Sequence, residues 1–374
     1  MRFIHTSDWH LGRLLEQHHL TDDQTQALDQ LFLLAKESKC TAFLISGDIY
    51  DRGVPPPEAV ELLSDFVSRL AIDLGITVIM IAGNHDSRER LSFGAPLLKR
   101  ANVHVFGPPI SAVPFVDLKD THGRVRFYAL PYAEPVEWRD VLKDESVHDH
   151  QSGFIRLLGS ASTEQPKAFR SVLLAHCFAT GGQVSDSERP LVVGGGGQVD
   201  AALFNSYNYA ALGHLHRPQR VKNAWYSGSL LKYSKSEAGH QKSVFIIDMD
   251  ATGACSVERV PIVPRRDLRV VEGLFDELLK NDLSEDYIHI VLRDKSRIML
   301  AAERLRTVFP NLIGLELPEE SVGGGRAAAL SGLTEDQLFE AFYKEVLGEA
   351  PEQVHLEAFR EAVKAVRADE QKRQ

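Results

Sequence analysis

The sequence has few cysteines and no long apolar run. Its three cysteines, Cys40, Cys177 and Cys255, are scattered over 374 residues. An odd number of widely spaced cysteines does not form the disulfide framework of a small secreted protein. No segment approaches the roughly 18 consecutive apolar residues of a membrane-spanning helix, and the first residues lack the apolar stretch and cleavage site of a secretory signal. These absences predict a cytoplasmic protein that does not associate with membranes.

Positive charge is also in deficit. There are 42 Lys and Arg residues against 52 Asp and Glu residues, which gives a formal net charge of −10. A protein that binds nucleic acid by itself usually has a basic surface, so the charge disfavours that class. DNA is not excluded as a substrate, because bound metal ions neutralise acidic ligands and a partner subunit can supply a basic surface.

A nucleotide-binding loop is missing as well. Gly194 to Gly197 form a glycine run inside the polar segment Gln183–Gln198, but no Gly-Lys-Ser/Thr follows. A P-loop needs that sequence to hold phosphates. The segment is therefore predicted to be a mobile surface loop, and the chain is predicted to have no ATP site of its own.

Five short apolar runs are present, and each ends in polar residues. The runs are Phe3-Ile4, Ala42–Ile45, Val78–Ile81, Val172–Leu174 and Ala210–Leu212. Short continuous apolar runs are typical of strands that are buried on both faces. Sites in α/β sheets form outside the carboxyl ends of the strands, so we expect the five polar clusters to converge on one crevice.

The clusters consist of carboxylate, imidazole and amide groups, which are hard metal ligands. They are Asp8-Trp9-His10, Gly47-Asp48-Ile49-Tyr50-Asp51, Gly83-Asn84-His85-Asp86, Ala175-His176 and Gly213-His214-Leu215-His216. Taken alone, the first, second and fourth clusters are more often a turn, a solvated pair or a core histidine, whereas the third and fifth are as often functional as structural. Their order and strand-end positions together favour a site for two divalent cations, which is suited to phosphoester hydrolysis. Nitrogen and oxygen ligands without thiolate favour manganese over zinc, with magnesium as an alternative.

The order of predicted elements indicates an α/β fold in which two sheets pack face to face as a sandwich flanked by helices. Apolar residues at helical spacing predict helices over Gln24–Ser38 and Glu58–Leu70. Further strands are predicted at Val125–Leu130, Ala224–Gly228 and Ser243–Asp248. We expect this domain to cover residues 1–263.

Two smaller parts follow. Residues 264–322 are predicted to form an α+β unit with strands and helices at Leu268–Val271, Glu272–Lys280, Tyr287–Leu292, Ala301–Phe309 and Leu312–Leu317. Residues 323–374 contain the end of a predicted linker, Val322–Gly325, and two amphipathic helices. Thr334 and Gln337 form a capping box at the start of the first helix. The helix pair can dock on its own core or on a partner.

The ordered clusters resemble the calcineurin-like metallophosphoesterase superfamily over about residues 1 to 260. The flanking sequences His5–Gly12, Ala211–Pro218 and Tyr226–Ser229 are similar to those of SbcD-type DNA nucleases, the partners of a coiled-coil ATPase. This resemblance implies a metallophosphoesterase fold with a capping domain and terminal helices that bind the ATPase. Arg52 after Asp51 is shared with serine/threonine phosphatases, so the second cluster alone does not assign the subgroup.

The resemblance also implies a role for each site residue. Asp48 would bridge two metal ions; Asp8, His10 and His216 would complete one site, and Asn84, His176 and His214 the other. His85 would face the scissile phosphate as a catalytic group rather than bind a metal. Asp51 would orient His85 and raise its proton affinity.

The function implied is a metal-dependent nuclease subunit. It would act as a double-strand 3′-5′ exonuclease and as a hairpin endonuclease in DNA repair, recombination and replication, with an SbcC-type ATPase and as a homodimer. Two other functions stay open. The first is a superfamily phosphodiesterase or phosphatase that acts on a small or protein substrate, although such an enzyme needs no docking helices. The second is a non-catalytic scaffold that regulates an ATPase, although the complete ligand set disfavours it.

Overall fold

The structure is a computed structural model that describes residues 1–163, 170–188, 197–294, 296, 298–317 and 334–373. Of the predicted loop Gln183–Gln198, residues 189–196 lie outside the described residues, and so does the predicted linker Val322–Gly325. The chain divides into two compact units. One consists of Met1–Arg293 with Ile298–Glu316, and the other of Asp294–Arg297 with Leu317–Gln374.

The described residues contain nineteen strands. In chain order they are β1 Arg2–Thr6, β2 Leu14–Leu15, β3 His18–His19, β4 Ala42–Ser46, β5 Thr77–Ile81, β6 Val103–Phe106, β7 Phe115–Asp120, β8 Gly123–Leu130, β9 Arg170–His176, β10 Phe178–Ala179, β11 Gln198–Val199, β12 Tyr209–Gly213, β13 Gln219–Val221, β14 Ala224–Tyr226, β15 Ser243–Met249, β16 Cys255–Pro261, β17 Leu268–Gly273, β18 Tyr287–Leu292 and β19 Leu312–Glu316.

Ten α-helices are found in the same described residues. They are α1 Thr21–Ser38, α2 Pro57–Ser68, α3 Arg88–Leu91, α4 Ala95–Leu98, α5 Pro135–Leu142, α6 His150–Thr163, α7 Phe275–Leu278, α8 Ala301–Leu305, α9 Glu335–Leu347 and α10 Gln353–Arg373. Single turns of other helix types lie at Arg69–Asp73, Lys99–Ala101, Ala201–Ser206 and Lys235–Glu237. Among the helices that are described, none is long and apolar enough to cross a lipid bilayer.

Two six-stranded sheets dominate the first unit. One has the order β16-β15-β1-β4-β5-β6, and its strands β1, β4, β5 and β6 run parallel. The other has the order β13-β14-β12-β9-β8-β7, and its strands β8, β9, β12 and β14 run parallel. The parallel strands bring their carboxyl ends to the same edge of each sheet.

The two sheets pack face to face because their central strands are apolar on both sides. Leu44 of β4 and Leu174 of β9 belong to the core between the sheets. Their neighbours Phe43 and Leu173 point the opposite way, into two outer cores that include residues of α1 and α2 and of α6, respectively. The predicted sandwich with flanking helices is therefore confirmed.

The capping unit is a parallel three-stranded sheet, β17-β18-β19, with helices α7 and α8. It has its own core, which includes Phe275, Ile290 and Leu305. The prediction of a helix over Glu272–Lys280 was wrong at its start, because β17 pairs with β18 as far as Gly273 and leaves only Phe275–Leu278 for α7. The domain limits at residues 263 and 322 stay predictions.

The second unit contains a helix hairpin. The ring of Phe339 in α9 stacks on Phe359 in α10, with centroids 4.3 Å apart. Arg360 donates a hydrogen bond from Nε to Oδ2 of Asp336 at 2.9 Å. Thr334 caps α9, and Gln337 completes the predicted capping box. Aromatic stacking and this ion pair hold α9 and α10 together.

Candidate metal centre

The five predicted clusters lie at the carboxyl ends of β1, β4, β5, β9 and β12. The parallel strands β1, β4 and β5 belong to one sheet, and β9 and β12 to the other. Because the sheets pack face to face, the loops after these strands meet at one end of the sandwich. The ligand atoms of Asp8, His10 and His216 lie within 4.8 Å of one another, as do those of Asp8, Asp48 and His176.

Hydrogen bonds between the loops fix their relative positions. Oδ1 of Asp8 accepts a hydrogen bond from the backbone N–H of His214 at 2.9 Å, and Oδ1 of Asp48 accepts one from His85 N–H at 2.9 Å. The backbone N–H of His10 donates to the carbonyl oxygen of Asp48 at 3.0 Å. Each carboxylate therefore holds a neighbouring loop with one oxygen.

Several predicted ligands have a left-handed backbone conformation. The φ angle is 53° at Asp8, 47° at His10, 48° at Asp48 and 106° at His214. This conformation costs about 1–3 kcal/mol for a residue other than glycine, and it persists only where the surrounding structure enforces it. Such strain at four predicted ligands is typical of a functional site.

Two of the predicted glycines permit the close approach of the loops. Gly47 has a φ of 88°, and a Cβ atom there would collide with the His176 ring. A Cβ atom at Gly83 would collide with the backbone and carboxylate of Asp48. Neither position can accept a side chain without moving a predicted ligand.

One group of donors lies around His10. Its Nε2 atom is 3.0 Å from Nε2 of His216, and it is 3.7 Å from Oδ2 of Asp48. The Oδ2 atom of Asp8 is held by Ser7 Oγ at 2.5 Å. The structure thus brings together Asp8, His10, Asp48 and His216, as the sequence predicts.

A second group lies on the other side of Asp48. Oδ1 of Asn84 is 2.9 Å from Nε2 of His176 and 3.2 Å from Nδ1 of His214. The same His176 nitrogen is 3.5 Å from Oδ2 of Asp48. One oxygen of Asp48 therefore faces both donor groups, which suits a carboxylate that bridges two ions.

The electrostatics of this cluster suit cation binding. Burial lowers the pKa of His10 and of His214 well below the usual range, so both imidazoles are neutral and can offer a lone pair. Burial raises the pKa of Asp8 to about 8, although the charge of His176 opposes this shift. Burial also opposes protonation of His176, but the neighbouring Asp48 carboxylate raises the pKa of His176 to about 9. Such groups release their protons when a metal binds.

The donor set fits two divalent cations. It offers imidazole nitrogens, carboxylate oxygens and one amide oxygen, all at least partly buried and directed toward a common volume. Cys177 follows His176 but belongs to the apolar core on the far side of its sheet. Nitrogen and oxygen donors without thiolate are compatible with manganese or magnesium.

His85 and Asp51 lie at an open cleft of about 450 Å³, which is also lined by Arg13, Leu14 and Arg52. Nδ1 of His85 is 2.8 Å from the backbone carbonyl oxygen of Asp51. Asp51 was expected to orient His85 through its carboxylate, but the group that contacts His85 Nδ1 is the Asp51 main-chain carbonyl. The carboxylate oxygen Oδ1 instead lies 3.3 Å from Arg13 Nη1 and 3.6 Å from His10 Nδ1.

Asp86 is a supporting residue for which sequence reasoning gave no role. Its buried carboxylate accepts hydrogen bonds from the backbone N–H groups of Ile49, Tyr50 and Gly83. It thereby ties the loop after β4 to the loop after β5. Its place in the Gly83–Asp86 cluster was the only available signal.

A second supporting network surrounds His216 and was missed from the sequence. Nδ1 of His216 is 2.6 Å from Ser187 Oγ, which donates to the buried carboxylate of Glu237. Glu237 forms an ion pair with Lys242, whose Nζ also donates to the His216 carbonyl oxygen at 2.8 Å. Glu188 accepts from the His216 N–H at 2.6 Å. These residues are single polar residues in unpatterned stretches, so the sequence contains no signal for them.

The flanking sequences that carry the resemblance are also in contact. Ser7 Oγ is 2.9 Å from Ser227 Oγ, which links His5–Gly12 to Tyr226–Ser229. Trp9 is fully buried and donates from Nε1 to Thr6 Oγ1 at 2.9 Å. These residues support the loop that bears Asp8 and His10.

Comparison with known families gives two matches. The family described as calcineurin-like phosphoesterase matches residues 1–218. The SbcD C-terminal domain, described as the type 5 capsule protein repressor C-terminal domain, matches residues 264–346.

Solved structures give weaker similarities. A dimetal phosphatase from Danio rerio is 12% identical, with 70% of this chain and 96% of that chain covered and a TM-score of 0.40. The protein TT1561 of Thermus thermophilus is 13% identical, with 69% and 98% covered and a TM-score of 0.39. The E. coli phosphoesterase Yfce is 16% identical, with 70% and 100% covered and a TM-score of 0.27.

The family match extends over more than half of the chain and includes every predicted ligand. It agrees with the two-sheet fold and with the grouping of donors at the strand ends. The chain therefore belongs to the calcineurin-like phosphoesterase family, as a hydrolase of phosphate esters whose C-terminal domain is of the SbcD type.

Proposed function

We propose that the protein is the nuclease subunit of a DNA repair and recombination complex, and that it hydrolyses phosphodiesters at double-stranded ends and in hairpins. The observation that carries this proposal is the combination of a complete two-cation donor cluster with an SbcD C-terminal domain. A phosphatase or a small-molecule phosphodiesterase of the same family would need the cluster but not the appended domain.

Two manganese ions are the proposed cofactors. Asp8, His10 and His216 would hold one ion and Asn84, His176 and His214 the other, with Asp48 between them. The ions would polarise the phosphate and activate water. The protein contributes neutral imidazoles and a rigid frame, because strained loops and interloop hydrogen bonds fix the donors before substrate arrives.

His85 is the proposed catalytic residue at the cleft. Its contact with the Asp51 carbonyl oxygen requires a hydrogen on Nδ1, which leaves Nε2 to act on the substrate. A protonated imidazole there can stabilise the phosphate charge or protonate the leaving oxygen. Asp51 thus orients His85 through its main chain, while its carboxylate lies between Arg13 and His10.

The terminal helices are the proposed docking site for a coiled-coil ATPase. Leu338 and Phe342 of α9 are 39% and 65% exposed, and Val354 of α10 is 60% exposed. These apolar side chains are not used by the Phe339–Phe359 stack. We propose that residues 323–374 form the docking segment, residues 264–322 the capping domain and residues 1–263 the nuclease domain of a cytoplasmic protein.

Cleavage of DNA tests the proposal directly. Purified protein with manganese, the ATPase partner and ATP is expected to cut a labelled duplex and a hairpin. His85→Ala should slow cleavage by about 10²–10⁴-fold, because it removes a proton donor, and Asp48→Ala should slow it at least as much. His122→Ala and Asp73→Ala are exposed controls that should match the wild type.

Four results would contradict this assignment. Absence of cleavage by the wild type, or undiminished cleavage by His85→Ala, would exclude the proposed nuclease. Turnover of an aryl phosphodiester without any duplex cleavage would favour the small-substrate enzyme. Altered ATPase turnover of the partner without any hydrolysis by the chain would favour a scaffold.

Asp51 and His85 should differ in their effects on metal binding. Asp51→Asn keeps the main-chain contact to His85 but removes the charge beside His10. It should therefore lower the affinity for one of the two manganese ions by about 10–100-fold. His85→Ala should lower kcat and leave manganese affinity unchanged. Isothermal titration calorimetry measures the effect on manganese affinity, and kcat measurements give the effect on catalysis. A kcat loss in Asp51→Asn without weaker manganese binding would show that the carboxylate acts on His85.

The docking segment can be tested without touching the metal centre. Deletion of residues 330–374 should abolish binding of the ATPase partner and leave manganese binding unchanged. Phe342→Glu should weaken partner binding because it places a charge on the exposed apolar face, whereas Glu340→Ala on the same helix should not. Retention of the partner by the truncated chain in size-exclusion chromatography would exclude this docking site.

A homodimer is proposed through the helices after the third cluster. Phe93 and Leu97 are 86% and 71% exposed, and exposed apolar side chains grouped in sequence often mark an interface. The wild type should sediment as a dimer and Phe93→Glu as a monomer, whereas Ile155→Glu at an exposed position of α6 should remain dimeric. A monomeric wild type in sedimentation velocity would rule the proposal out.

A further inference from the structure

Gln24 is a fully buried polar residue in the first turn of α1. Its Nε2 atom donates to the carbonyl oxygens of His10 at 2.8 Å and Trp9 at 3.2 Å, and it lies 3.2 Å from Tyr233 Oη. Its Oε1 atom accepts from the backbone N–H of Gly12 at 3.1 Å. These partners of the Gln24 side chain belong to the loop of the first cluster or are part of Tyr233.

The loop from Asp8 to Gly12 needs hydrogen-bond partners from outside β1. The backbone is left-handed at Asp8, His10 and Gly12, so the chain turns away from the regular ladder of β1. Buried carbonyl and N–H groups need hydrogen-bond partners. Gln24 provides them for Trp9, His10 and Gly12 at once, and thereby fixes the backbone of His10.

Tyr233 completes the support from the opposite side. Its hydroxyl donates to the Trp9 carbonyl oxygen, and its ring contacts the rings of both His10 and His216, with centroids 5.5 and 5.9 Å away. Gln24 and Tyr233 therefore hold the same Trp9 carbonyl group, and Tyr233 also contacts the rings of His10 and His216.

The residue before Gln24 connects α1 to the capping unit. The Asp23 carboxylate is buried and accepts hydrogen bonds from Arg266 Nε at 3.0 Å and Arg266 Nη2 at 2.6 Å. Tyr287 of β18 donates to the same carboxylate at 2.9 Å. A bidentate guanidinium contact is geometrically specific, so the first turn of α1 is held against β18 and against the segment that precedes β17.

We propose that Gln24 is a positioning residue for the His10 metal ligand, and that Arg266 and Tyr287 fix Gln24 through Asp23, so that the capping unit stabilises the metal centre. This inference rests on the proposed two-metal site. The Gln24 side chain is buried against the backbone of Trp9, His10 and Gly12, so its effect on the proposed site would pass through that loop.

The chain contains a matched control. Gln30 lies on the same helix and also makes two hydrogen bonds to a backbone, to Val263 N–H and C=O at 3.1 and 2.7 Å. Within the described part of the chain, none of its side-chain hydrogen bonds reaches a loop that carries a predicted metal ligand. Gln30→Met therefore removes the same group from α1 without touching the loop from Trp9 to Gly12.

The experiment compares Gln24→Met and Gln30→Met in the full chain, because methionine keeps the length of the side chain. Manganese binding is measured by isothermal titration calorimetry after chelation, and folding by urea denaturation. Gln24→Met is expected to lower the affinity for one of the two manganese ions by about 10–100-fold, which is the range for residues that orient metal ligands. Gln30→Met should leave both affinities within about twofold of the wild type. Tyr233→Phe should lower the affinity for the same ion by a smaller factor. This variant tests the positioning role if Gln24→Met does not fold.

The link to the capping unit is tested by Arg266→Met, alone and combined with Gln24→Met. If Arg266 acts through Gln24, its effect on manganese affinity disappears in the double variant. Equal effects in both backgrounds would overturn the link. Unchanged manganese binding in Gln24→Met and Tyr233→Phe, with only lower resistance to urea, would overturn the positioning role. Failure of the wild type to bind two manganese ions would instead overturn the proposed function on which the inference rests.

Discussion

The close approach of five strand ends is the constraint on which the rest of the structure depends. The donor atoms belong to loops after β1, β4, β5, β9 and β12, and these loops approach so closely that side chains at Gly47 and Gly83 would displace a ligand. Such convergence requires left-handed backbone at Asp8, His10 and Asp48. The strain of about 1–3 kcal/mol at each of these positions must be offset by the surrounding structure. Two apolar cores beneath the sheets and the core between them supply that stability.

The same convergence creates an electrostatic problem. Asp8 and Asp48 are buried beside four imidazoles, and burial alone disfavours every charged form. Asp48 keeps a pKa well below its usual range because His176 and other histidines oppose the effect of its burial. Buried carboxylates without such compensation are costly. Cations placed between the two donor groups would complete the charge balance, and for this reason the residues suit a metal site better than a buried hydrogen-bond network.

The core strands and the polar clusters at their ends could be predicted from the sequence because both are local patterns. Ala42–Ile45 is apolar without interruption, and it became a strand buried on both faces; Asp48 follows it where the strand ends. Edge strand β16 could not be predicted in the same way, because its sequence has no continuous apolar run and none of its residues is fully buried. The contact between His85 and the main-chain carbonyl oxygen of Asp51 could not be predicted either, because the sequence does not indicate which backbone groups a side chain will contact. The supports of His216 lie at Ser187, Glu237 and Lys242, and only the folded chain brings them together.

The supports divide unequally between the two donor groups. His176 is held by the sheets themselves, since its Nδ1 lies 2.9 Å from the carbonyl oxygen of Ser46 at the end of β4. His10 and His216 instead depend on Gln24, Tyr233 and the Glu237–Lys242 pair, which lie outside the strands that form the site. Backbone contacts within a sheet persist as long as the sheet does, whereas side-chain contacts to α1 and to the turn at Lys235–Glu237 can change independently. On the proposed link through Gln24, the geometry of the His10 group would respond to the capping unit, whereas His176 would be held mainly by its contact with β4.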